Sequence, residues 1–91
     1  MGSLDAARRL LEEALAIRRK VQGGESAVAT SLAYLGCMER DVGDLAAAES
    51  RLREALTIRE LALGADAELT TATRADLDDV LHRKGEAAPQ R

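Results

Sequence analysis

The sequence predicts an all-α fold of about four helices, arranged as antiparallel helix-turn-helix repeats in an α-solenoid. Three observations point there. First, the stretch from Leu45 to Gly64 nearly repeats an earlier one: moving the chain by 41 positions sets Leu4 on Leu45, Ala7 on Ala48, Leu11 on Leu52, Ala14 on Ala55, Leu15 on Leu56, Ile17 on Ile58, Arg18 on Arg59 and Gly23 on Gly64. Self-similarity at a period of about 40 residues marks units that bury a continuous core only by stacking. Second, hydrophobic residues make up 46% of the chain but Tyr34 is its only aromatic, so the core must be built from Leu, Ile, Val and Ala. Ala and Leu are strong helix formers, and the one proline, Pro89, stands near the end. Third, glycines punctuate amphipathic segments of helical length.

The first segment, Leu4 to Gln22, places Leu4, Ala7, Leu11, Ala14, Leu15 and Arg18 on one face at three- and four-residue spacing. Ser3 is its expected N-cap, Asp5 suits the positive first turn, Arg18, Arg19 and Lys20 suit the last, and Gly23 is the expected stop. A second helix begins after Gly23-Gly24 with Ser26 as its expected cap, and places Val28, Leu32, Leu35 and Met38 or Glu39 along its stripe up to Gly43. The short break before it implies an antiparallel pair. The third helix starts after Asp44 as cap and turns Leu45, Ala48, Leu52, Ala55, Leu56 and Leu63 inward, while Ile58 and Leu61 form a second apolar line. A helix apolar on two sides needs cover on two sides, as a middle position in a stack provides. The fourth, capped by Asp66 and running from Ala67 to Lys84, carries Leu69, Thr73, Leu77, Val80 and Leu81 on one stripe and Thr70, Arg74, Asp78 and Arg83 on the other side. It reads as a lid closing the stack, followed by a polar tail, 85–91.

A chain of 91 residues is one small domain at most, and such domains are marginal alone. Its net charge of −3 and isoelectric point near 5.1 argue against nucleic acid or an anionic membrane as partner, since either needs clustered positive charge. The lone cysteine, Cys37, suits a reducing compartment. No apolar run approaches the roughly 20 residues of a membrane span, and the opening residues do not form a signal-peptide pattern, so a cytoplasmic location is expected.

The unit from Ala27 to Leu63 resembles the tetratricopeptide repeat, in the longer variant found in kinesin light chain. The residues that carry the resemblance are Leu35-Gly36 in the first helix, the string from Val28 to Leu32, the Gly43-Asp44-Leu45 turn with Ala48-Glu49, the spacing of Ala48, Leu52 and Ala55, and the ending from Ala55 to Glu60 with Leu63-Gly64. Glu39 departs from it, standing where the family usually has Tyr. The resemblance implies this phasing: a second-type helix (residues 4–22), a complete repeat (26–63) and a first-type capping helix (67–84). It also implies that first-type helices line a concave groove for a peptide or helix of a partner protein. Mapped onto this chain, the groove is Thr30, Ala33, Tyr34, Cys37, Arg40 and Asp41. The family's clamp for a terminal carboxylate uses Lys, Asn and Arg on such helices, whereas Ala33 and Cys37 occupy the corresponding places here.

No catalytic constellation, metal site or cofactor motif is visible. A Cys/His centre would need Cys37 and the only histidine, His82, to meet from different helices. Asp76, Asp78 and Asp79 splay around one helix without the glycine-bearing loop of a calcium site and read as a solvated face. Arg8, Arg9, Arg18, Arg19 and Lys20 interleave with Glu12 and Glu13, so pairing along the helix explains them before a binding patch does. The expectation is therefore a non-enzymatic interaction scaffold without cofactor. Tyr34 is either its contact anchor or packed between helices. The alternative is self-association, or membership of a larger array: Leu10, Leu11, Leu15, Ile17 and Val21 cover more than one side of the first helix, leaving an apolar strip for a homodimer or for a preceding helix.

Overall fold

The computed structural model describes residues 2–19 and 24–85, with side chains left out at residues 2–4, 18 and 19. Within those limits the chain forms four helices and no strand: α1 (Gly2–Arg19), α2 (Glu25–Asp41), α3 (Leu45–Leu63) and α4 (Glu68–Lys84). The expected stop at Gly23, the strip residue Val21 and the tail beyond Gly85 lie outside the described residues.

Capping follows the sequence at one helix and departs from it at three. Asp44 caps α3, its Oδ1 accepting from the Ala47 backbone N–H at 3.4 Å. Ser3 is no cap, because α1 already includes Gly2. Ser26 lies inside the first turn of α2, where its carbonyl accepts the Thr30 hydroxyl at 3.1 Å, and Gly24 takes the cap position without a side-chain bond. Asp66 sits in the turn that follows Gly64, so Ala67 caps α4 instead. The turn between α2 and α3 is closed by Gly43 at φ +89°: its N–H donates to the Arg40 carbonyl and that of Asp44 to the Glu39 carbonyl, satisfying carbonyls at the end of α2.

Each helix packs on its neighbours in chain order, α1 on α2, α2 on α3 and α3 on α4, giving a slab of 45 × 37 × 16 Å. Two apolar clusters fill it. One gathers Leu15 of α1, Val28, Leu32 and Leu35 of α2 and Ala55 of α3, with Leu11 and Ile58 packed against it. The other joins Ala48 and Leu52 of α3 to Leu77 and Val80 of α4. Ala33 borders both. The helices α2 and α3 approach closely at Gly36, where an added Cβ would stand 2.7 Å from Leu52 Cγ.

At the ends of α3 and α4 the inward faces differ from expectation. In α3 the buried stripe runs Ala48, Leu52, Ala55, Arg59 and stops one turn before the helix does, so Leu63 and Leu61 are exposed while Ile58 is half-buried. In α4 the buried set is Thr70, Thr73, Leu77 and Val80, and Leu69 is exposed. One residue of phase is about 100° around a helix, and the Thr70 hydroxyl fixes that phase by donating to the Arg59 carbonyl at 3.3 Å.

Candidate functional site

The groove residues expected from α2 fall on one face because their spacing follows the helical period. Thr30, Ala33, Tyr34 and Cys37 line a hollow of about 280 Å³ whose other walls are Leu69 and Asp76 of α4 and Arg59 of α3. Tyr34 is 61% exposed, which favours a contact anchor over packing between helices. Arg40 and Asp41 stand outside that lining but are tied to it by charge. The Arg40 guanidinium bonds Asp41 through Nε at 3.3 Å, and its Nη1 reaches Asp79 at 3.4 Å and Asp76 at 3.7 Å, bridging α2 to α4.

Cys37 Sγ lies 3.7 Å from Asp76 Oδ2. Burial pushes the thiol up, the neighbouring Asp76 charge adds to the rise, and Arg40 opposes it. The sulfur is therefore held as a thiol that donates to a carboxylate, the reverse of an activated nucleophile. Among the described residues no group of three or more His, Cys, Asp and Glu is arranged to hold a metal ion.

Arg59, Leu69 and Asp76 also line the hollow, although the sequence reading did not assign them to the groove. Arg59 is only 9% exposed. Its Nη1 donates to Thr73 Oγ1 at 2.8 Å and its Nη2 to Thr30 Oγ1 at 3.3 Å. Both hydroxyls spend their own protons on their helices, Thr73 on the Leu69 carbonyl and Thr30 on that of Ser26, so they present lone pairs to the guanidinium. A signal for Arg59 was present in the repeat, which aligns it with Arg18, a residue that sequence spacing groups with the apolar face of the first segment.

A second polar centre lies where α1, α2 and α3 meet. The Glu39 carboxylate is fully buried and receives Arg8 Nη2 at 2.9 Å and Arg51 Nη2 at 3.2 Å; Arg51 also bonds Glu12 at 3.0 Å and Arg8 bonds Asp44 at 3.3 Å. Signs alternate along this chain of five side chains, Glu12, Arg51, Glu39, Arg8 and Asp44, which ties three helices and a turn together. It accounts for an acid at a position where the repeat pattern has Tyr.

The strip residues of α1 separate. Leu15 is buried in the first cluster and Leu11 is half-buried against it, so neither is open to a second copy. Leu10 and Ile17, two turns apart, are 65% and 64% exposed. No described helix is long and apolar enough to cross a membrane.

A family model described as "Tetratricopeptide repeat" matches residues 1–60. No curated protein matches the chain.

Proposed function

The chain belongs to the tetratricopeptide repeat family, whose repeats mediate protein–protein interaction, and from that premise we propose that it is a non-enzymatic scaffold module that holds a peptide or helix of a partner in the groove between α2 and α4. The observation that carries this reading is the hollow lined by Thr30, Ala33, Tyr34 and Cys37, with an exposed tyrosine at its rim. A rigid amphipathic ring is a good anchor because it buries large area at little entropic cost. Arg40 and Asp41 extend the same face as a polar border. In this reading the partner is a protein, the repeat is of the kinesin light chain variant, no cofactor is required, and the module works in the cytoplasm. In affinity capture followed by mass spectrometry, Tyr34→Ala should lose the specific partner while Leu61→Ala, outside the hollow, keeps it. Equal capture by both variants with unchanged helical circular dichroism would reject the groove.

Self-association is the second reading, favoured by the exposure of Leu10 and Ile17 on α1. Burying a Leu or Ile side chain contributes about 1.5–3 kcal/mol, enough for a few such contacts to pair marginal domains. Light scattering should then report a homodimer that Ile17→Asp weakens. A monomer at all micromolar concentrations assigns the strip instead to a neighbouring helix of a larger array.

A further inference from the structure

Arg59 is a buried cation that meets no opposite charge among the described residues. Among the described residues its side chain is met by two threonine hydroxyls, and no carboxylate stands within ion-pair distance of it. Burying a guanidinium against neutral partners alone is costly, because hydroxyl dipoles replace only part of its hydration. Among the described residues, other sheltered charges are matched: Glu39 by Arg8 and Arg51, Asp76 by Arg40, Glu49 by Lys84. The uncompensated guanidinium also lines the hollow, reaching its wall from α3, behind the two helices that form the groove.

We propose that Arg59 is an anion subsite of the groove, and that its occupant is the side-chain carboxylate of an Asp or Glu in the bound peptide. This rests on the groove reading above and adds the chemistry of one contact. A carboxylate in the hollow would take the guanidinium N–H groups not given to Thr30 and Thr73, forming charge-assisted hydrogen bonds in a site sheltered from water. The two threonines hold the planar fork in place before binding, so little side-chain entropy is lost. A side chain suits the site better than a chain terminus, because Arg59 is nine-tenths buried while a peptide main chain lying across the groove runs at the level of exposed Tyr34. Leu69 and Tyr34, both exposed on the same lining, offer apolar contact to the residues flanking the acid. Asp76, also in the lining, is engaged by Arg40 and Cys37; its charge opposes the incoming carboxylate and sets a requirement that the acid approach on the Arg59 side.

The test is a nuclear magnetic resonance titration of the whole chain with three short probes: N-acetyl-Leu-Glu-Leu-amide, N-acetyl-Leu-Gln-Leu-amide, and N-acetyl-Leu-Gln-Leu with a free carboxyl terminus. The Arg59 Nε–Hε resonance is followed alongside the amides of Tyr34 and Cys37. The Glu probe should move the Arg59 resonance and bind about tenfold more tightly than the Gln amide, which is the order one charge-assisted hydrogen bond supplies. Arg59→Gln should erase that preference, and Asp76→Asn, which leaves Arg59 in place, should strengthen Glu-probe binding. Equal affinity for the Glu and Gln amides with shifts at Tyr34 overturns the subsite and leaves the groove standing. Preference for the free terminus overturns the side-chain assignment, and an Arg59 resonance that none of the probes moves overturns the proposal outright. The capture experiment with Tyr34→Ala reads the groove itself independently.

Discussion

Gly36 shows how one missing atom sets the spacing of two helices. Leu52 is fully buried and its Cγ, the branch point rather than a free end of the side chain, would meet a Cβ at 2.7 Å. Overpacking a core costs about 1–3 kcal/mol, while replacing a helical glycine by alanine returns about 1 kcal/mol. Gly36→Ala is therefore expected to destabilise by about 1 kcal/mol and to lower Tm by about 5 °C in a domain of this size. A rise in Tm by calorimetry would show that Leu52 can retreat. Glu39 is the charged counterpart. Removing its charge as Glu39→Gln leaves Arg8 and Arg51 facing a neutral amide, and urea unfolding should register a loss of about 1–3 kcal/mol, moderated because both arginines are partly exposed. These residues were unequally legible in sequence. Gly36 was visible through its pairing with Leu35, and the groove face of α2 followed from helical spacing alone. Arg59 was hidden because arginine defaults to the surface, and its alignment with Arg18 was the one hint that the spacing offered.

Among the elements, α4 tests how far periodicity can be trusted. Its inward stripe was expected through Leu69 and is found through Thr70, since adjacent residues differ by about 100° in direction and a polar hydroxyl with a backbone acceptor is as buriable as a leucine. The helix is also pinned electrostatically: Lys84 Nζ lies 2.6 Å from Glu49 Oε1, joining the end of α4 to the start of α3, and Arg53 bonds the same carboxylate. The hydrogen bonds from Lys84 and then Arg53 hold the Glu49 carboxyl below its ordinary value of 4.5. A carboxyl lowered in the folded state stabilises above its unfolded pKa and loses that contribution as pH falls through the folded one. The stability difference between the native chain and Glu49→Gln should therefore be full at neutral pH and vanish in acid, below the ordinary carboxyl value. A difference that persists unchanged at pH about 2 would assign it to packing instead. Caps were the least legible feature, because Ser26 and Asp66 are good capping residues that the actual turn geometry bypasses.

At the scale of the whole molecule, the repeat made the stack readable while leaving its recognition chemistry unread. Stacking is a property of small and large apolar residues spaced along each helix, and Ala48, Leu52 and Ala55 declare it directly. The hollow instead depends on which side chains from three different helices converge, and no local pattern encodes the meeting of Arg59, Thr30 and Thr73. Because helices touch mainly their neighbours in sequence, order in this slab is distributed like beads coupled in a line. The helix α1 packs mainly on α2 and reaches α3 at the edge through the Arg51–Glu12 ion pair, whereas α2 and α3 are clasped from both sides. Opening α1 should thus require less free energy than opening the middle pair, and its amides should exchange with deuterium first, those of α2 and α3 last. Uniform protection across all four helices would mean a single cooperative block. With the expected gradient, a partner gripping the α2–α4 groove would slow exchange in the interior while α1 continues to breathe, so the two ends of one short chain would keep separate clocks.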